Sequence, residues 1–140
     1  MTIDVYLKKL KEDGFKITPK RKATIELFSK KKSYLSPQEV LEKLGNHFPG
    51  ISSSTVYRIL EELQDTGILI KIEHEDRQLY YFLCRMPDQH HHHFICRKCR
   101  RIEEVELCNL KELERFISKN LNCKVENHSV RLEGLCSHCK

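Results

Sequence analysis

The segment FPGISSSTVYRILEELQDTGIL, residues 48–69, decides how the first half of the chain is read. Pro49-Gly50 marks a turn. A helix begins at Ser53 or Ser54, and Val56, Ile59, Leu60 and Leu63 fall at i, i+3, i+4 and i+7, one buried face. Gly67 ends it. The other face carries Ser54, Thr55, Tyr57, Arg58, Glu61 and Glu62. Small hydroxyls, a tyrosine and an arginine at the start of an exposed helix face suit contacts to phosphates and base edges in a major groove.

Two more helix starts precede this segment. Thr18 can cap and Pro19 is tolerated at the first helical position, followed by an apolar stripe of Ala23, Leu27 and Phe28. Ser36-Pro37-Gln38-Glu39 reads as a capping box; Val40, Leu41 and Leu44 form the apolar face behind it, and Gly45 is a plausible stop. After residue 67, β-rich runs at 68–72 and 78–83 flank a short connection at 73–77. Three helices followed by a two-stranded wing make a winged helix-turn-helix. Residues 1–32 hold ten Lys/Arg against four Asp/Glu, whereas residues 71–140 hold thirteen against eleven. A solvated lysine-rich face accounts for that charge alone, but its coincidence with Tyr57-Arg58 favours a polyanion, DNA, at the basic end.

The second half carries metal chemistry. Cys96/Cys99 and Cys136/Cys139 are two CxxC pairs. A CxxC turn sets two thiolates on one side of an ion, and two such turns fill a tetrahedral Zn²⁺ shell with no open position, so a structural zinc is expected there. Between the pairs, residues 101–107 read as a strand. Asn109 and Glu112 read as the cap and N3 of a helix with Leu110, Leu113, Phe116 and Ile117 on its apolar face, and a second strand runs from Val130 to Leu135. This unit is too small to bury much core alone, and a symmetric DNA reader needs two copies, so a homodimer is expected.

His90-His91-His92-His93 is a second signal. In an extended chain His91 and His93 share one side and His90 and His92 the other, which allows two distinct sites. Cys84 stands near the start of the same connection, Glu104 lies on the following strand, His74 in the wing turn, and His128 in the polar patch Glu126-Asn127-His128. Cys108 and Cys123 have no CxxC partners and are read as small buried hydrophobes; His47 and His138 are read as solvent-facing or packing residues.

The 140 residues are 39% hydrophobic and 32% charged, which suits a soluble globular protein of one domain or two small ones. The longest apolar runs, such as GILI at 67–70, cannot span a membrane, and MTIDVYLKKL lacks an apolar signal core, so a cytoplasmic location is the default. Seven cysteines in a reducing compartment point to metal or thiol chemistry rather than disulfides. No HExxH or similar catalytic motif is present, so an enzyme is not expected.

Taken together, ITPKR at 17–21, FPGISSSTVYRILEELQDTGIL at 48–69, HHHHFICRKC at 90–99 and LEGLCSHC at 132–139 resemble the ferric uptake regulator (Fur) superfamily of metal-dependent bacterial repressors. The resemblance covers nearly the whole chain. It implies an α+β protein with a winged-helix DNA-binding domain at 1–83 and a small α/β, metal-binding dimerisation domain at 84–140. It also implies a hinge metal that controls affinity for a double-stranded, palindromic operator. It places DNA contacts on Arg21, Tyr57 and Arg58, beside the hydroxyls Ser54 and Thr55. Iron- and peroxide-sensing members usually carry a histidine where this chain has Tyr34, and an oxygen ligand where it has Cys84. The thiolate resembles the zinc uptake regulator branch, as does YYFLCRMPDQ at 80–89. The resemblance therefore implies a regulatory Zn²⁺ at Cys84, His91 and His93, with His74 or Glu104 as the fourth ligand. A third metal is implied at His90, His92 and His128. Its usual carboxylate falls on Lys111, so Glu112 or Glu104 would have to compensate.

Overall fold

The computed structural model describes residues 3–74 and 77–140; Glu75 and Asp76, in the connection expected at 73–77, and Met1 and Thr2 lie outside the described residues. The described chain is α+β, with five helices and five strands. The first is a helix that the sequence reading did not separate, α1 (Asp4–Glu12), with Tyr6 and Leu10 buried. Helix α2 (Pro19–Ser29) starts as expected: Thr18 caps it by accepting the Arg21 amide. Helix α3 (Pro37–Gly45) carries the full capping box of Ser36 and Glu39, and Gly45 is its last residue rather than the stop beyond it. Helix α4 (Ser53–Asp65) is capped by Ser52 and buries Val56, Ile59, Leu60 and Leu63. Gly67, at φ 81°, takes the left-handed turn after α4, and the Ile68 amide reaches back to the Leu63 carbonyl.

Strands β1 (Leu69–Glu73) and β2 (Leu79–Leu83) form the antiparallel wing. Leu35 exchanges backbone hydrogen bonds with Tyr81, covering the free edge of β2. In the second half, β3 (His92–Cys96) is central: it pairs antiparallel with β4 (Ile102–Val105) and parallel with β5 (Arg131–Gly134). Helix α5 (Lys111–Leu121) crosses over between β4 and β5. The expected Asn109 cap is not formed. Leu110 occupies the cap position without a side-chain bond, and the first turn is acidic at Glu112 and Glu114, which favours a helix N-terminus electrostatically.

Two buried clusters hold the chain. The larger joins α1, α2, α3, α4 and the wing through Leu10, Ile25, Val40, Leu60, Leu63 and Tyr81, none of them measurably exposed. Each such aliphatic side chain contributes about 1.5–3 kcal/mol. The smaller joins the two halves, with Tyr34, Ile72 and Phe82 meeting Ile95 and Ile102. Backbone bonds reinforce that junction, with Ser33 bridging to Arg101 and the Ile102 amide donating to the Lys32 carbonyl. By contrast, α5 has no buried residue, and Leu113, Phe116, Leu121 and Leu132 are more than half exposed.

Candidate metal centres and nucleic-acid interface

Three groups of donor side chains converge among the described residues. In the first, Cys96 leaves β3, and the Arg100 amide returns to the Cys96 carbonyl; near the C-terminus the amides of Cys139 and Lys140 return to Cys136. Two matched turns thus face each other. With Zn–S near 2.3 Å, sulfurs at tetrahedral corners lie roughly 3.8 Å apart. Cys99 Sγ and Cys136 Sγ are 3.6 Å apart, and all four sulfurs lie within 4.8 Å of one another. The donor set therefore fits a closed tetrahedral ion. The Cys99 amide points at Cys96 Sγ and is the main reason that thiol is drawn down to about 6. Burial pushes Cys136 up, but the His138 amide and neighbouring thiols carry it below its ordinary value.

The second group is Cys84, His91 and His93. Cys84, at the end of β2, is 3% exposed, and its carbonyl accepts from the Tyr6 hydroxyl at 3.0 Å, so α1 braces it. His91 Nδ1 lies 2.7 Å from the Gln89 carbonyl and must donate to it, which leaves the Nε2 lone pair free. That Nε2 is 3.4 Å from Cys84 Sγ and 3.0 Å from His93 Nε2. A tetrahedral zinc would set these separations at roughly 3.6 and 3.3 Å. Burial pushes His93 down to about 4, so its ring is neutral near pH 7, as a ligand must be. Burial pushes the Cys84 thiol up. The two expected fourth ligands lie outside this group. His74 packs edge-on against Tyr34 and Tyr80, and Glu104 Oε1 accepts from the Arg85 amide at 3.3 Å, next to Cys84.

The third group is His90, His92, His128 and Cys108, and Cys108 was missed in the sequence. Read as a buried hydrophobe, Cys108 is exposed, as is Cys123. Its Sγ lies 3.4 Å from His90 Nε2 and 3.1 Å from His128 Nε2. The carboxylate at this site comes from Glu114, not Glu112 or Glu104: its Oε1 holds His128 Nδ1 at 3.0 Å, aiming Nε2 at the thiol. Buried His92 accepts the Val130 amide at Nδ1, and its Nε2 has no hydrogen-bond partner. Ligation through Nε2 therefore requires that ring to change partners. No spacing in the sequence marks Cys108; only the fold brings its thiol to His90 and His128.

On α4, Ser54, Tyr57 and Arg58 are exposed, whereas Thr55 turns its Oγ1 to Ser52 at 2.9 Å. Arg21 is directed at protein partners. Its Nε and Nη2 reach Glu62 at 2.9 and 2.8 Å, its Nη1 donates to the Lys16 carbonyl, and it stacks over Phe15.

A winged helix joined to a small sheet that carries clustered thiol and imidazole donors defines a metal-responsive, DNA-binding class of protein. Residues 12–133 match the ferric uptake regulator family, and the chain belongs to that family of metal-responsive transcriptional regulators. It is 32% identical over 139 residues to the ferric uptake regulation protein of Bacillus subtilis, covering 98% of this chain and 93% of that one. It is 27% identical over 131 residues to the peroxide-responsive repressor PerR of Staphylococcus aureus strain Mu50, covering 94% and 86%. A zinc uptake regulator solved with zinc and DNA matches 97% of this chain and 91% of its own, with a TM-score of 0.78 and 23% identity, a likeness of fold. Among the described residues no helix is long and apolar enough to cross a membrane.

Proposed function

We propose that this protein is a cytoplasmic, zinc-responsive repressor that binds a palindromic operator as a homodimer, with residues 1–83 reading DNA and residues 84–140 dimerising. The carrying observation is the convergence of Cys84 with His91 and His93 where β2 hands over to β3. One thiolate and two imidazoles form a soft donor set that suits Zn²⁺ better than Fe²⁺. A bound divalent ion supplies a rigid cross-link there and no reactive chemistry. Cys84 contributes the wing side of that link; His91 and His93 contribute the side of the second domain. Holding the three together fixes the winged helix on the dimer, so both copies of α4 stand at half-site spacing before DNA arrives. The four-cysteine group staples β3 to the C-terminus, and the Cys108 group is a third metal site.

Selection of bound fragments from a random duplex pool tests this reading. Zinc is expected to enrich a two-fold symmetric sequence; enrichment independent of metal, or of no sequence at all, overturns it. Ferric uptake and peroxide-responsive relatives favour a second reading, an iron- or peroxide-sensing repressor. Fe²⁺ or Mn²⁺ would then activate binding at lower concentration than Zn²⁺.

Two variants follow. Arg58→Ala on the exposed face of α4 is expected to weaken operator binding by about 1–3 kcal/mol if it reads a base, or to flatten the salt slope by about 1 if it holds a phosphate, measured by anisotropy across a salt series. Phe116→Glu places a charge on the exposed face of α5 and is expected to shift sedimentation from dimer to monomer.

A further inference from the structure

The turn between Cys99 and β4 contains Arg100 in the left-handed region, φ 70°. Glycine adopts that conformation freely, while a residue with a Cβ is strained by it. A strained backbone position persists where the surrounding structure holds it: the Arg100 amide closes the turn onto the Cys96 carbonyl, and its side chain is held by the other half of the protein. Its Nη1 donates to both carboxylate oxygens of Glu39, at 2.7 and 2.9 Å. Its guanidinium lies over the rings of Tyr34 and Tyr80, 5.2 and 5.1 Å from their centroids. Those two rings pack edge to face at 4.8 Å, and Tyr34 is 4% exposed.

We propose that Arg100 is a positioning residue for DNA binding: carried on the turn closed by Cys96 and Cys99, it latches the winged helix to the C-terminal half through Glu39, Tyr34 and Tyr80. The proposal rests on the DNA-binding reading above. Glu39 is the N3 residue of the α3 capping box, so the contact grips the rigid start of a helix and not a loose side chain. Tyr34 belongs to the short segment that pairs with both sheets, through Ser33 to Arg101 and Leu35 to Tyr81. Tyr80 lies on β2, four residues before Cys84. One guanidinium therefore meets three elements of the winged helix from a turn that the four-cysteine group holds closed. The four-cysteine group in this account does more than staple β3 to the C-terminus. It presents the arginine that sets the angle of the DNA-binding half.

The variants that test this spare the folding elements. Arg100→Gly keeps the left-handed turn without strain and deletes the latch. Glu39→Gln keeps an oxygen for the capping box and removes the charge. With all metal sites loaded, each is expected to lower operator affinity roughly tenfold, and the double variant to lose little more than either alone. Affinity for non-specific duplex, which needs no fixed spacing of two helices, should stay within about twofold. Hydrogen exchange gives a readout independent of DNA. The Ile102 amide, bonded across the junction to the Lys32 carbonyl, should exchange faster in Arg100→Gly, while amides inside α4 and α5 do not change. Unchanged operator affinity together with unchanged Ile102 exchange overturns the proposal, as does strict additivity of the two substitutions. Failure of the wild-type protein to bind any operator would instead strike the reading it rests on, and the exchange measurement would still decide whether the latch exists.

Discussion

Cys84→Ala is expected to lose on the order of a hundredfold in metal-dependent operator affinity, a loss of the size seen when metal sites are degraded. That is about 2.7 kcal/mol, within the range of coupling energies that allosteric ligands deliver. The substitution removes one of three donors and the only one on the wing side of the link. His91 and His93 remain, but both belong to the second half, so any ion they retain no longer spans the junction. The dimer and the four-cysteine ion should be intact, because Cys84 belongs to neither. Cys84 is 3% exposed, so its loss also leaves a small void, worth roughly 1 kcal/mol of stability. Thermal unfolding of the metal-free proteins measures that cost separately. A variant that is slightly less stable yet binds operator in zinc as the wild type does would contradict the assignment.

Cys136→Ser is expected to have the larger effect on folding. A structural zinc contributes roughly 10–16 kcal/mol of apparent binding free energy, comparable with or above the roughly 5–15 kcal/mol that stabilises a whole domain. The second half has little else: α5 buries nothing, and β5 is held by β3 and by the turn that Cys136 begins. The variant should lose one ion per chain, lose the dimer by sedimentation, and keep the helical signal of the first half, whose core is separate. Acid should act in the same direction. Cys96 is drawn down to about 6, below the ordinary value of 9, so its thiolate favours the folded, metal-binding form above that ordinary value and the contribution fades as pH falls through about 6. Its partner Cys139 is pushed up to about 12, mainly by its hydrogen bond to Cys136, so proton release on ion binding continues well into alkaline pH. Ion retention measured against a chelator should accordingly fall steadily from pH 8 to pH 5 and never rise.

Local patterns carried most of the fold. The capping residues Thr18 and Ser36, the apolar face of α4 and the two CxxC spacings act within a few residues of each other, and each can be read from order alone. Alternation along an extended chain likewise separates His91 and His93 from His90 and His92, and the two pairs do fall in different donor groups although only His92 and His93 lie on β3. What escaped were features decided by distant partners. Helix α1 buries only Tyr6 and Leu10 within a lysine-rich stretch, too sparse a face to announce itself. Cys108 has no spacing motif; it joins a donor group because the chain after β4 doubles back toward His128, twenty residues on. Asn109 resembled a cap, but the helix began two residues later. The Arg100 contact links positions 61 residues apart and leaves no periodic trace. The ion pair of Arg21 with Glu62 likewise depends on how α2 crosses α4; the DNA contact that the family resemblance implies for Arg21 is not tested by that pairing.

In the proposed mechanism, filling the Cys84–His91–His93 group raises affinity for DNA. The most direct test is a stoichiometric titration of Zn²⁺ into protein that already holds its four-cysteine ion, with bound metal and operator affinity followed in the same samples. Affinity is expected to climb as one further ion per chain is taken up, and Zn²⁺ should act at lower free concentration than Fe²⁺ or Mn²⁺. Operator affinity that stays flat while that ion binds, or that rises first with Fe²⁺ or Mn²⁺, would contradict the account.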